Sequence, residues 1–184
     1  STSIAIDIAK RLETRLHVLH VSTAEELGLF ERGALDGKRI TAEACVHHLW
    51  FDAEDYGALG ARIKCNPSIK ERKHRDALRA AVAEGVIDVV GTDHAPHLLS
   101  EKERGYFAAP SGTAYIQHAL LALLELHLRG VLSLERIGEC ACHAPARLFG
   151  VRDRGFVREG CFADLVLVDL ARPNGIRRED LLSK

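Results

Sequence analysis

The sequence predicts an α/β fold in which short parallel strands alternate with helices. Three β-rich apolar runs are separated by segments whose apolar residues recur at helical spacing, and each run leads into an ionisable residue near its carboxyl end. Strands and helices that alternate in this way are typical of βαβ units with right-handed crossovers. The 184 residues, of which 47% are hydrophobic and 28% charged, have the composition of a globular domain.

The individual elements follow from the apolar periodicity and from the residues that interrupt it. Apolar residues at helical spacing indicate helices, whereas alternating or continuous β-branched runs indicate strands. Predicted helices cover residues 3–14, 23–35, 71–84, 113–128, 133–142 and 144–148, with a short helix or turn at 52–60. Predicted strands cover residues 16–22, 39–45 and 86–92, with an extended pre-proline segment at 64–67.

The sequence changes character near residue 150. Residues 154–160 indicate a turn-rich hairpin, and residues 163–169 indicate a further strand. We therefore expect a barrel-like segment at residues 1–150 and a separate β segment at residues 151–184. Because a closed eight-unit barrel typically needs about 250 residues, three βα units would represent only the last part of such a barrel.

Composition argues against several classes of partner. A formal net charge of -1 gives no indication of nucleic acid or of an anionic membrane surface as a partner. No apolar run reaches the roughly 18 residues that a membrane span needs. Five scattered cysteines favour reduced thiols and a cytoplasmic location, and ten histidines are the one compositional indication of metal or proton chemistry.

The stretch around Asp93 concentrates ionisable groups at the end of a predicted strand. Asp93 is followed by His94 and His97, and Pro96 prevents the continuation of a helix. Parallel α/β folds place their chemistry at the carboxyl ends of strands. The alternative is a polar exit from the strand, with Asp93 capping the following turn. The polar loop at residues 100–111 has two interpretations, a mobile active-site loop or an ordinary surface excursion.

His20, Glu43 and Asp93 occupy corresponding places at the ends of the three predicted strands. An imidazole and two carboxylates that converge on one edge of a sheet can hold a divalent metal ion such as zinc. Each residue also has a structural explanation, as a core histidine or as a carboxylate that only supports its neighbours. The three together predict a metal site.

Six segments of the chain resemble the dihydroorotase family within the amidohydrolase superfamily. They are LHVLHVST at 16–23, TAEACVHHL at 41–49, KCNP at 64–67, GTDHAPH at 91–97, CHAPARLFG at 142–150 and GCFADLVLVD at 160–169. The resemblance implies a partial (β/α)8 barrel of the TIM type, about strands 6–8 with their helices, followed by a fragment of a small β-sandwich. It also implies a binuclear zinc centre and reversible conversion of N-carbamoyl-L-aspartate to L-dihydroorotate in pyrimidine synthesis.

The same resemblance implies roles for individual residues. His20 would be a ligand of one metal ion, and Asp93 a ligand of the other metal ion and the carrier of a proton. Glu43, a ligand only in some relatives, would support the ligands. The residues implied in binding a small-molecule substrate are Asn66, His97, Ser111 and Gly112.

Other metal ligands of the family, a His-x-His pair, a bridging carboxylate and a further histidine, would lie before residue 1. His47 and His48 are adjacent, and we expect them to point to opposite faces and not to replace that pair. We therefore expect this chain alone to be inactive, and to require a homo-oligomer or an amino-terminal half as a partner. The alternatives are a dihydropyrimidinase-like or allantoinase-like amidase, a non-catalytic partner of aspartate transcarbamoylase, and an α/β domain with coincidental histidines.

Overall fold

A computed structural model describes residues 1–183 and contains one sheet of three parallel strands. The strands are β1 (Leu16–Val18), β2 (Ile40–Cys45) and β3 (Val89–Gly91), in that spatial order. Leu16 pairs with Ile40 and Glu43 pairs with Val89, so β2 is central. The predicted parallel α/β arrangement is confirmed, although β1 and β3 are shorter than expected.

Eight α-helices surround this sheet among the described residues. They are α1 (Thr2–Arg11), α2 (Val46–Trp50), α3 (Tyr56–Leu59), α4 (Arg72–Glu84), α5 (Leu99–Lys102), α6 (Ala119–Leu128), α7 (Leu134–Gly138) and α8 (Ala144–Leu148). A π-helical turn, Glu139–His143, joins α7 to α8 into one continuous helical segment. Short 3-10 helices cover Glu25–Leu29, Ala53–Asp55, Gly60–Ile63 and Arg178–Asp180. The described residues include no helix long and apolar enough to cross a bilayer.

Two predicted helices are shorter than the periodicity indicated. The helix expected at 23–35 is reduced to the 3-10 helix Glu25–Leu29, and Gly33, at a φ of 135°, cannot continue an α-helix. The helix expected from residue 113 begins only at Ala119, because the carbonyl of Thr113 accepts a hydrogen bond from the Ala95 N–H at 3.0 Å. In both cases tertiary or backbone constraints outweigh the local pattern.

The strand predicted at 163–169 is wrong, because these residues form no strand in the structure. The side chains of Leu165, Val166 and Leu167 are exposed, Leu167 fully so at 101%. A strand is stabilised by hydrogen bonds to a neighbouring strand, and no strand pairs with this segment among residues 1–183. Residues 154–160 likewise form turns without paired strands. The boundary near residue 150 stays a prediction.

The main core lies around the central strand. Ala42 and Ala44 of β2 are completely buried, and α4 packs Leu78 and Val82 against this layer. Further members of the core come from the helices and from the segments that flank the strands: Ile6, Val21, Leu49, Ile87, Leu126 and Ile137. A sheet covered on both faces explains why the strands are apolar almost throughout.

A buried ion pair connects the segment before β2 to the segment before β3. Lys38 Nζ lies 2.8 Å from Asp88 Oδ1, and the two side chains are only 6% and 3% exposed. The ammonium group also donates to the Gly85 carbonyl at 2.9 Å, and Asp88 Oδ2 accepts the Ala42 N–H at 2.9 Å. Buried charges need such partners. The pair therefore aligns the two strands whose ends carry Glu43 and Asp93.

Candidate active site at the carboxyl edge of the sheet

The structure places His20 two residues after β1 and Asp93 two residues after β3, at the same edge of the sheet. Both residues adopt left-handed backbone conformations, with φ of 40° for His20 and 43° for Asp93. Non-glycine residues rarely occupy this region, and such strain concentrates at functional sites. The backbone therefore turns sharply at both predicted metal ligands.

The Glu43 carboxylate lies between these two residues. Its Oε1 accepts a hydrogen bond from the His20 N–H at 3.3 Å. On the other side it lies over Gly91, where a Cβ would be 2.5 Å from Oε2. Burial raises the pKa of Glu43, and the charge of Asp93 raises it further, while the His20 N–H and the thiol of Cys45 oppose that rise. His20, Glu43 and Asp93 therefore form one electrostatically coupled group, because the ends of the three parallel strands meet at one edge of the sheet. Their roles as metal ligands stay predictions.

Next to this group, α2 brings two histidines together, which corrects the expectation that they point to opposite faces. The ring centroids of His47 and His48 are 4.3 Å apart. The expectation assumed a strand, in which successive side chains alternate, whereas successive residues of a helix are separated by only about 100°. The helical turn directly after β2 is the reason for the difference.

Cys45, His47 and His48 form a cluster of possible metal ligands that the sequence analysis missed. One donor atom from each lies within 4.8 Å of the others, and all three residues are buried. Burial, together with the proximity of the His48 ring, lowers the pKa of His47 to about 3, and burial lowers that of His48 to about 4. Both rings are therefore neutral near pH 7. The one sequence feature that could have indicated this cluster is the Cys-x-His-His spacing of residues 45–48.

Three of the four residues predicted to bind substrate lie together. His97 Nε2 donates a hydrogen bond to the Ser111 carbonyl at 3.0 Å. Gly112 lies so close that a Cβ would be 3.1 Å from His97 Nε2 and 2.6 Å from the Ala95 carbonyl oxygen. A side chain at residue 112 is therefore incompatible with this arrangement. The substrate roles themselves stay predictions.

The fourth residue, Asn66, is exposed and joins this region through the backbone of Lys64. The Gly112 N–H donates to the Lys64 carbonyl at 2.9 Å, two residues before Asn66. This contact holds the segment that carries Asn66 next to the Ser111-Gly112 turn. The sequence alone contained no signal for the contact, because it depends on two loops that are remote along the chain.

A buried lysine anchors the polar loop at 100–111. Lys102, only 7% exposed, donates to the carbonyls of Lys64, Pro110 and Gly112 at 2.9, 2.9 and 2.8 Å. Burial lowers the pKa of Lys102. Lys64 Nζ in turn donates to the carbonyls of Tyr106 and Ala109 at 2.7 and 2.6 Å. These hydrogen bonds from two lysines therefore hold the loop in place. The anchoring role of Lys102 was not predicted from the sequence.

Comparison with known families assigns the chain to one of them. Residues 4–183 match the Amidohydrolase family, and the chain belongs to that family.

Its relatives include proteins named dihydroorotase and proteins named allantoinase. The chain is 37% identical to a dihydroorotase from Halobacterium salinarum over 97% of this chain and 41% of the relative. It is 33% identical to a dihydroorotase from Endomicrobium trichonymphae over 97% of this chain and 43% of the relative. It is 35% identical to an allantoinase from Solibacter usitatus over 96% of this chain and 39% of the relative. The chain thus spans about two fifths of the length of these relatives.

Solved structures give the same class of fold. The L-hydantoinase (dihydropyrimidinase) from Arthrobacter aurescens superposes with a TM-score of 0.81 at 29% identity, over 88% of this chain and 37% of that protein. A dihydroorotase from Saccharomyces cerevisiae superposes with a TM-score of 0.69 over 80% of this chain and 43% of that protein. Its 18% identity supports a likeness of fold alone.

Proposed function

We propose that this chain supplies part of the active site of a zinc-dependent cyclic amide hydrolase, specifically a dihydroorotase that interconverts N-carbamoyl-L-aspartate and L-dihydroorotate. The observation that carries the proposal is the Glu43 carboxylate, which accepts the His20 N–H and is coupled to the charge of Asp93. Membership of the Amidohydrolase family and the relatives named dihydroorotase support the substrate. The remaining ligands of the metal centre would come from outside this chain.

The residues at this edge fit a divalent metal ion. An imidazole from His20 and a carboxylate from Asp93 are donors that suit zinc. When bound, zinc would supply a Lewis acid that polarises the amide carbonyl and acidifies water. Glu43, which bonds to the His20 backbone, would keep the His20 segment in place and add negative charge beside the ion.

In this proposal Asp93 moves the proton. Its carboxylate would accept a proton from the attacking water and return it to the ring nitrogen that leaves when the amide C–N bond breaks. In the reverse direction the same carboxylate would take the proton from the attacking nitrogen. The exposed side chain of Asp93 at the sheet edge is accessible to a substrate.

The substrate carboxylate would be held by the group around His97. Because the Ser111 carbonyl only accepts, His97 Nε2 must carry the proton of that hydrogen bond. Only Nδ1 is then left for the substrate, and it donates to a carboxylate only when the ring is doubly protonated. Glu101 Oε2 lies 4.0 Å from Nδ1. The exposed amide of Asn66 can both donate and accept on the same side.

The test is Asp93→Asn in the protein extended to the full length of its relatives. Asparagine tolerates the left-handed backbone, so we expect intact folding and loss of dihydroorotate turnover by at least about a hundredfold. Asp153→Asn is the matched control, because Asp153 also has a positive φ, 55°, but lies outside the site. Turnover near the unmodified level in Asp93→Asn would remove Asp93 from the mechanism.

A second candidate activity is hydrolysis of allantoin or of a hydantoin. The allantoinase relative at 35% identity and the superposed L-hydantoinase favour it. Turnover of dihydroorotate, allantoin, hydantoin and dihydrouracil by the same full-length protein separates the candidates. A higher kcat/KM for allantoin or hydantoin than for dihydroorotate would contradict the proposed substrate while leaving the metal-dependent chemistry in place.

A further inference from the structure

We propose that Cys45, His47 and His48 form a second binding site, for a divalent cation of the Zn²⁺ type, distinct from the ligands predicted at His20 and Asp93. One donor atom from each of the three residues lies within 4.8 Å of the others. A thiolate with two imidazoles is a donor set that zinc and cobalt accept. The proposal does not depend on the proposed enzymatic function.

Two buried polar atoms of this cluster lack hydrogen-bond partners among the described residues. Nε2 of His47 and Nδ1 of His48 are enclosed and have no hydrogen-bond partner among the described residues. The two side chains belong to residues that are 0% and 3% exposed. An unpaired buried polar atom costs about 1–3 kcal/mol, so native proteins rarely retain two of them side by side. A bound cation would satisfy both.

The other nitrogen of each histidine ring contacts an orienting partner. His48 Nε2 donates to the Pro67 carbonyl at 2.9 Å, so in the neutral ring Nδ1 carries the free lone pair. His47 Nδ1 lies 3.4 Å from the Thr113 hydroxyl, which leaves Nε2 free. Metal-bound histidines show this division, with one nitrogen on the ion and the other on an orienting partner. Loops remote in sequence thus orient both rings.

A possible fourth donor lies beside the Cys45 thiol. The Cys45 thiol donates to Glu43 Oε1 at 3.7 Å, so a carboxylate oxygen lies at the border of the cluster. Loss of the thiol proton on metal binding would leave that oxygen available as a fourth donor. Zinc bonds of about 2.0–2.3 Å require the donors to approach one another by roughly an ångström. Rotation of the Cys45, His47 and His48 side chains would provide this movement.

The experiment uses the 184-residue chain, stripped with EDTA and titrated with Co²⁺. We expect a thiolate-to-cobalt charge-transfer band that saturates at one equivalent, because Cys45 is the proposed sulfur ligand. Zn²⁺ should displace the cobalt and raise the thermal unfolding midpoint. Neither His20 nor Asp93 contains sulfur, so His20→Gln should retain the band. The band therefore tests this site separately from the catalytic proposal.

Variants identify the ligands. Cys45→Ser should abolish the band, and His47→Gln or His48→Gln should each weaken cobalt binding by at least about tenfold. Cys65→Ser is the matched control, since Cys65 is also buried and its Sγ lies 4.0 Å from His48 Nε2. If Cys45→Ser does not fold, the proposal is tested by cobalt binding to the two histidine variants and to Cys65→Ser. Absence of the band in the unmodified chain, its retention in Cys45→Ser or its loss in Cys65→Ser would overturn the proposal.

Discussion

The carboxylate of Glu43 rests on Gly91, so closely that a Cβ at residue 91 would lie 2.5 Å from Oε2. Glu43 belongs to β2 and Gly91 is the last residue of β3, paired with Cys45. The missing side chain of Gly91 therefore creates the space in which the carboxylate reaches the sheet edge. This close approach explains the glycine better than any requirement for an unusual backbone, since its φ lies outside the left-handed region.

Gly91→Ala should destabilise the chain by about 0.5–1.5 kcal/mol, because the new methyl group forces the Glu43 carboxylate to swing away from the His20 N–H and lose that hydrogen bond. The free energy of unfolding in urea measures the effect. Gly57→Ala is the control, because nothing lies within 4 Å of a Cβ at that position in α3. An unchanged stability of Gly91→Ala would show that Glu43 moves aside without cost.

Lys38→Met should cost about 3–5 kcal/mol of stability, because it leaves the Asp88 carboxylate buried without its counterion. Urea denaturation provides the measurement. The pair Arg32–Glu84, with a separation of 3.6 Å and side chains 69% and 52% exposed, is the control. Arg32→Met should cost at most about 1 kcal/mol. Equal effects of the two variants would contradict the structural role of the buried pair.

Lys102→Met should release the loop that carries Ser111 and Gly112. Methionine fills similar space but removes three hydrogen bonds from a charged donor, each worth about 1.5–3 kcal/mol. We expect trypsin to cleave after Arg104 at least about tenfold faster, because local opening becomes easier. Mass spectrometry of the fragments measures this rate. Lys73→Met, on the exposed face of α4, should leave the rate unchanged, and an equal rate in Lys102→Met would exclude the anchoring role.

In the metal-free chain, stability should fall as the pH decreases below about 6.5. The pKa of His47 is lowered to about 3 and that of His48 to about 4, so both rings stay neutral in the folded state. In the unfolded chain both histidines have the ordinary pKa of about 6.5 and bind a proton below that pH, whereas the folded chain does not. The free energy of unfolding therefore decreases as the pH falls from about 6.5 to about 3–4. Each ring contributes a slope of up to about 1.4 kcal/mol per pH unit.

Urea unfolding with EDTA at pH 7, 6 and 5 measures this slope. His48→Gln should reduce it by the contribution of one proton, whereas His143→Gln, in a ring that is 40% exposed, should change it less. A slope that does not respond to His48→Gln would mean that this ring titrates in the folded chain as it does in the unfolded one.

The positions of the strands could be predicted because a strand that is buried on both faces has a continuous apolar run in its own sequence. A run such as the one before Asp93 is apolar at successive residues, bounded by glycine, and ends in a polar group, whatever surrounds it. The same local pattern at 163–169 predicted a strand that does not form. The three observed strands pair with a neighbouring strand, whereas residues 163–169 have no such neighbour among the described residues. A strand depends on hydrogen bonds to that neighbour, which its own sequence does not reveal.

The alternation of strands and helices and the chemical type of the residue at each strand end could be predicted from the sequence, since both depend on neighbours along the chain. Three features are visible only in the folded chain: Glu43 lies over Gly91, Lys102 binds three carbonyls, and the rings of His47 and His48 lie side by side. These contacts join residues through packing of separate elements or through a helical turn that the pattern did not reveal. Their energy is gained only when the chain has folded, so no local periodicity records it.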